Sequence, residues 1–448
     1  LGALTHSTQA QQVGDVLKQQ AGEGVKQGAA VATEQTATNA TNKLLNKLFT
    51  KKGKPTKADS AKAAVASSSG GAPSGTVTGP AGGPTTPGGQ TTAASGGAPP
   101  SLTTYSKFDF VPGDKILSVE DFTADAIGDF PEKWNTNSTG EIQTISGREG
   151  KWLSLTKNGV FLPEFITNLP DNFTLQFDLL CSDNFSYYSG AFQVSFAVLP
   201  NPAKQFTTIG RSAPRTTVDL SFHPQDAHGN SGHTNFWIFS DDQQIMKNDE
   251  TEMQFATRDP GHRLVRISIW RQKQRIRVYM NQEKVWDLPR SFEADKIYNT
   301  VLFSVPDELK SGDRYLFSNI RLAAGAPDTR NKLITEGKFS TTGILFDVNS
   351  SVVRPESYGS LKDLADVLKD NNSVRVKIIG HTDSDGDATA NLALSKKRAE
   401  AVKDALAKEF AIDPARLDTD GKGAGQPIGS NTTPAGKAQN RRVEFIRL

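Results

Sequence analysis

Only one cysteine, Cys181, stands in the 448 residues, and a single thiol excludes an internal disulfide framework and any multi-cysteine zinc site. Excess charge is equally scarce. The formal net charge is +2, which supplies no global field to recruit nucleic acid. The basic residues are not interleaved with aromatics as a single-strand binding surface requires. No run of 18 apolar residues occurs, so no segment is long and apolar enough to cross a membrane as a helix. Tyrosine is sparse at seven residues, a poor supply for the aromatic girdles of an outer-membrane barrel.

The remaining composition divides the chain. It begins "LGALTHSTQAQQ", and Thr8 and Ala10 before Gln11-Gln12 read as the remnant of a secretory signal, residues 1–10, cleaved after Ala10. An arbitrary end is the alternative. No cysteine nearby could carry a lipoprotein's acyl anchor. Residues 11–50 lack proline and place Val13, Leu17, Val25, Val31, Leu44, Leu45, Leu48 and Phe49 at roughly helical intervals. Gly22, Gly24 and Gly28 weaken that pattern, so a marginal amphipathic helix ordered against a partner is expected. From Ser67 to Pro100 there is no charged residue, and apart from Val77 and Gln90 only Gly, Pro, Ser, Thr and Ala occur. Such a stretch buries too little apolar surface to offset its ordering entropy. Residues 51–104 read as a flexible tether, with a root-mean-square span of about 35–42 Å over its first 50 residues.

Residues 105–328 read as antiparallel β-sandwich, a jelly roll. In "RLVRISIWRQKQRIRVYMN", Val265, Ile267 and Ile269 share one face, as do Ile276, Val278 and Met280, with "RQKQ" as the hairpin turn between them. "NFTLQFDLL" and "AFQVSFAVL" repeat the alternation, and Pro/Asn/Gly/Asp clusters punctuate it at sandwich spacing. Residues 329–448 change period. "GILFDV" and "VRVKII" are strand-like, and Tyr358, Leu361, Leu364, Ala365 and Leu368 recur at helical spacing. Leu392, Ala399, Val402, Leu406 and Phe410 mark a second helix, and "RRVEFIRL" closes with a strand, giving a compact α/β domain.

Within that domain "GHTDSDGDATANLALSKKRAEAV" sets Asp383, Asp385 and Asp387 on alternate positions ahead of a basic helix. A calcium loop needs Gly at position 6 and a bidentate Glu at 12, but Ala388 and Leu394 stand there. "DTDGKG" at Asp418–Gly423 is equally incomplete. Acid–base catalysis needs carboxylates in contrasting environments around a cleft, whereas a polar Gly-containing loop solvates all three alike. The third reading is a site for a zwitterion. Asp383 falls just past a buried strand, Asp387 is placed to cap the next helix, and Asn391 and Arg398 lie seven residues apart on one stripe of it. A strand-end carboxylate and a helix guanidinium could meet opposite charges of one ligand, or Asp383 and Arg398 could simply pair with each other.

The pattern G-H-T-D, two residues, Gly, four residues, Asn, two residues, Leu-Ser, two residues, Arg-Ala resembles the signature of the OmpA-like peptidoglycan-binding domain, shared with the Pal lipoprotein and flagellar-stator anchors. Gly421, Gly423, Pro427 and "NTTPAGKAQNRRVEF" extend the likeness, with Lys437 where Arg is usual. The resemblance covers about 110 residues and implies a β-α-β-α-β-type domain that binds meso-diaminopimelate in the wall's stem peptide. It implies that Asp383 accepts bonds from the ligand's ammonium, that Arg398 grips its carboxylate and that Asn391 orients the loop. Thr382, Val348 and Asn349 would contact the peptide. Arg441 and Arg442 are expected to hold the fold, with direct contact as the alternative, and His381 is expected to be structural.

The stretch "FDFVPGDKILSVEDFTADAIGDFPEKWNTNSTGE" resembles the laminin-G/concanavalin-like sandwiches of Bacteroidota OmpA-family envelope proteins. Such modules often bind glycans through surface aromatics. Trp134, Trp152, Tyr187, Tyr188, Trp237, Trp270 and Trp286 are the candidates here, though aromatics more commonly fill cores. His223, His228 and His233 are spaced five apart without an acidic or cysteine fourth ligand, so no metal and no cofactor is expected. The implied protein is an exported, non-enzymatic anchor in the periplasm, associated with the outer membrane and the wall. Its sandwich would engage an envelope protein or glycan, and its N-terminal segment an outer-membrane protein. A wall-localised glycan-processing enzyme and a glycan adhesin are the alternatives.

Overall fold

The computed structural model describes residues 108–448, apart from 168, 210–213, 228, 230, 253, 326 and 327. The expectations for residues 1–10, 11–50 and 51–104 and for His228 therefore lie outside the described residues. The described part of the chain belongs to one compact unit, Ala93–Leu448.

Alternating apolar residues build two antiparallel sheets. One runs, in spatial order, through Glu283–Leu288, Arg275–Met280, Leu264–Gln272, Asn172–Cys181, Tyr315–Ala324, Lys151–Leu155 and Glu141–Thr144, with Lys115–Glu120 also paired to Tyr315–Ala324. The other runs through Gln243–Glu252, Gly232–Ser240, Thr217–His223, Phe192–Ala197, Thr300–Val305, Gly159–Pro163 and Trp134–Thr136. The predicted hairpin forms with Gln272 opposite Arg275, and Lys273 takes the left-handed conformation its tight turn needs (φ 54°). Both of its apolar triplets point into the core.

Phenylalanines carry the contact between the sheets. Phe173 meets Phe196 at 5.3 Å between ring centres, Phe177 meets Phe303 at 5.5 Å, and Phe303 stacks on Phe317 at 5.2 Å. The strands thus form two stacked sheets around a filled interior rather than a closed barrel. Trp134, Trp152, Trp270 and Trp286 are buried, and Trp237 is half-buried, so of the aromatic candidates only Tyr187 and Tyr188 are exposed.

The C-terminal residues build a four-stranded sheet in the order Lys338–Thr341, Val443–Arg447, Val376–His381, Leu417–Gly423. Helices Tyr358–Asp370 and Ala388–Phe410 cover it, joined by a separate apolar core around Leu361, Ile378, Val402 and Phe445. The strand expected at "GILFDV" forms earlier, at Lys338–Thr341. Phe346 makes only an isolated bridge to Val353, because Asp347–Ser350 turns back on itself through Asn349 at φ 54°. Leu392 also departs from expectation. It is 40% exposed, and the buried stripe of its helix is Asn391, Ser395, Ala399, Val402, Leu406 and Phe410.

A strap of chain, residues 108–114, fixes the two cores to each other. Phe108, Phe110 and Val111 pack on Trp270 and Tyr279 of the sandwich and against Tyr358 of the C-terminal part. Asp114 pairs with Lys332, and Gln439 bonds both Ile116 N–H (3.0 Å) and the Asp114 carbonyl (3.1 Å). Phe110 is the centre of this joint, edge-on to Trp270 and Tyr279. Phe110→Ala should cost about 3–5 kcal/mol in equilibrium denaturation, as large-to-small changes in packed cores do. A loss below about 1 kcal/mol would show that the strap does not join the two cores.

Candidate functional site

The strand Val376–His381 delivers the chain to the site. The Thr382 N–H donates to the Gly423 carbonyl (3.0 Å), so the backbone is still held as it leaves the sheet. Asp383 follows, only 8% exposed. Its Oδ1 accepts the Asp385 N–H (3.2 Å), closing a turn that passes through Gly386 at φ 85°. Asp387 then caps the Ala388–Phe410 helix, accepting the Ala390 N–H at 2.8 Å, as its place in the sequence predicts.

The helix lies unusually close to the strands beneath it. A side-chain carbon on Gly380 would stand 2.2 Å from the Ser395 carbonyl oxygen, and one on Gly421 2.4 Å from the Lys396 nitrogen. This approach brings two helix residues to the cleft, one to this loop and one to the Asp347–Ser350 turn. Asn391 donates from Nδ2 to the Asp385 carbonyl (2.8 Å) and so fixes the loop. Arg398 donates from Nε to the Ser350 carbonyl (2.9 Å) and lies over the Phe346 ring, 4.9 Å from its centre. Burial, then the neighbouring Arg441, lower the pKa of Arg398, and Asp383 opposes them.

A cleft of about 550 Å³ opens here. Asp383, Arg398, Asn391, Thr382, Val348, Asn349, Arg441 and Arg442 all line it. Asp383 and Arg398 do not pair with each other. Arg441 is the partner of Asp383, with Nη1 2.5 Å from Oδ2, and its side chain is half exposed at the cleft. Arg442 also reaches the cleft lining, but its contacts are internal. It is buried and donates to Glu444 (2.9 Å) and the Gln426 carbonyl (3.1 Å). His381 is buried too, its Nε2 3.6 Å from Glu444. Thr382 has a buried hydroxyl without a protein partner, and Val348 is 71% exposed at the mouth.

The three aspartates do not converge on an ion. Asp383 is taken by Arg441, Asp385 by Lys437 (2.8 Å) and Asp387 by the helix end. Among the described residues no group of three or more His, Cys, Asp or Glu could hold a metal. In the sandwich, His223 and His233 stack at 4.8 Å and each places Nδ1 at the same Gln225 carbonyl. Desolvation, with His233 adding to it, pushes the His223 pKa down to about 4. Sequence reasoning missed Phe346 and the Ser350 carbonyl, which position Arg398. It also missed Arg266, Arg321 and Asp178, which line the cleft from the sandwich side.

Residues 345–441 match the model of the OmpA family. The chain is 44% identical over 101 residues to outer membrane porin F of Pseudomonas fluorescens, covering 22% of this chain and 31% of the porin. It is 43% identical over 102 residues to the probable lipoprotein YiaD of Escherichia coli K12, covering 23% of this chain and 46% of that one. Less than half the length of these relatives is therefore spanned. Among solved structures, the peptidoglycan-associated lipoprotein from Burkholderia pseudomallei is 29% identical and wholly covered by 27% of this chain, with a TM-score of 0.23.

Beneath the site, the adjacent His381 and then the Arg442 guanidinium outweigh the opposing effect of burial and hold the Glu444 carboxyl down to about 2, against 4.5 for a free glutamate. A depressed carboxylate stabilises the fold above its unfolded value, and that stability is lost as pH falls toward the folded one. Glu444→Gln should therefore cost about 3 kcal/mol near neutrality, with the gap to wild type closing between about pH 4.5 and 2 in urea melts. An unchanged gap across that window would show that the Glu444 charge does not support the site.

Proposed function

From an OmpA-like C-terminal domain as premise, we propose that this protein is a non-enzymatic anchor that grips peptidoglycan non-covalently through diaminopimelate. The observation that carries the reading is that Asp383 and Arg398 face one cleft without pairing with each other. Diaminopimelate ends in an ammonium and a carboxylate on one carbon. Asp383 accepts the ammonium, since an ionised carboxylate has about four lone-pair sites and Arg441 with the Asp385 N–H occupies only part of them. Arg398 takes the carboxylate, held for it by the Ser350 carbonyl and the Phe346 face. Thr382 offers its unpartnered hydroxyl, and Val348 and Asn349 border the peptide. Arg441 adds a second guanidinium beside the ligand.

Relatives named as an outer membrane porin and a lipoprotein support a place at the outer membrane facing the wall, in the periplasm. The sandwich, read as a jelly roll, would engage a further envelope protein or glycan, and the exposed Tyr187–Tyr188 pair is its available aromatic surface. Residues 11–50, on the tether of residues 51–104, would reach an outer-membrane partner.

The test is co-sedimentation of the full chain with diaminopimelate-type peptidoglycan, beside Asp383→Asn and Arg398→Gln checked for folding by circular dichroism. A charge-assisted hydrogen bond contributes about 1.5–3 kcal/mol, so each substitution should weaken binding about tenfold or more. Pelleting by both folded variants at wild-type levels, or no pelleting by the wild type, would refute the anchor.

A further inference from the structure

The cleft has two sides. The C-terminal part supplies Asp383, Arg398 and Arg441, and the sandwich supplies Arg266, Arg321, Asp178 and Asn319. Most of the guanidiniums lining it are neutralised locally. Arg266 pairs with Asp178 (2.9 Å), Arg354 with Glu356 (2.8 Å), Arg441 with Asp383 and Arg442 with Glu444. Two are not. Among the described residues, Arg398 and Arg321 have no carboxylate partner, and they come from opposite sides of the cleft. Arg321 is bonded to Thr342, through its carbonyl (3.5 Å) and its hydroxyl, and its Nε is buried without a partner.

The setting of Arg321 is built. The strand Tyr315–Ala324 breaks register between Ser318 and Arg321, with Asn319 at φ 53°. The Asn319 side chain donates to Asp178 (2.7 Å), so the two Asp178 oxygens are taken by Asn319 and Arg266 and neither is paired with Arg321. Burial, then repulsion from Arg266 and Arg441, lowers the Arg321 pKa to about 10. A second anion between the two walls would relieve that repulsion.

We propose that the sandwich forms the second wall of the ligand cleft, where Arg321 with Arg266 beside it receives a second carboxylate of the same wall peptide. The inference rests on the diaminopimelate reading and extends it: the cleft reads a stretch of stem peptide, not one residue. A stem tetrapeptide offers two such groups within a residue of diaminopimelate, the α-carboxylate of the γ-linked D-glutamate before it and the terminal carboxylate of the D-alanine after it. Both present the same chemistry, a carboxylate to a guanidinium fork.

The experiment is calorimetric titration of the full chain with four tetrapeptides that share the diaminopimelate zwitterion: both carboxyls free, either one amidated, or both amidated. The wild type should bind the fully free peptide about tenfold more tightly than the doubly amidated one, and the single amides identify which carboxylate is read. Arg266→Gln and Arg321→Gln should each shrink that preference while leaving affinity for the doubly amidated peptide within about twofold. Arg266→Gln keeps the test open should loss of the Thr342 bond unfold Arg321→Gln. Equal affinity for all four peptides overturns the second subsite and leaves the clamp standing. A wild type that binds none of them removes the diaminopimelate reading, and this inference with it.

Discussion

The site depends on how closely the Ala388–Phe410 helix can lie on the strands that lead to it. Gly380 and Gly421 leave room for helix backbone where any side chain would collide with it. Contact at that distance brings backbone polar groups together, and they need partners. Ser395 supplies one, accepting the Gly423 N–H (2.9 Å) and donating to the Leu392 carbonyl (2.8 Å). The first two turns of the helix are thus polar on their inner face, and hydrocarbon packing begins only at Ala399. One helix serves two purposes along its length. Its first half carries Asn391 to the loop and Arg398 to the Asp347–Ser350 turn, and its end builds the core.

The electrostatics are arranged in two levels. Below the site, His381, Arg442 and Glu444 form a buried cluster whose geometry is set by neighbouring strands. Breaking one member would leave uncompensated charge in a low-dielectric place, so the cluster favours one arrangement of the strand ends. Above it, Asp383, Arg441 and Arg398 face the cleft, half satisfied by protein. A zwitterion suits such a surface, because it adds an ammonium and a carboxylate together and leaves the net charge unchanged.

Much of this was legible in the sequence, where local chemistry dictates local structure. Asp387 as helix cap and the Val265–Met280 hairpin follow from residue type and period alone, and each is found. The six residues expected to meet the ligand line one cleft, together with Arg441 and Arg442, which were expected to support it. Leu392 failed because a period identifies a stripe but not which of its ends meets glycine-lined backbone. "GILFDV" failed because its apolar run continues into a turn at Asp347–Ser350, where Arg398 holds the carbonyls. The partner of Asp383 and the sandwich wall of the cleft come from chain distant in sequence. Nothing local distinguishes Arg441 from Arg442, or marks Arg321 among the arginines of a β domain.

The central claim is that Arg398 and Asp383 together read a carbon bearing both an ammonium and a carboxylate. Two stem peptides identical except for meso-diaminopimelate or L-lysine at the third position isolate it, since the lysine side chain keeps the ammonium and lacks the carboxylate. Calorimetric titration of the full chain should give about tenfold or tighter binding of the diaminopimelate peptide. Equal affinities for the two would contradict the clamp.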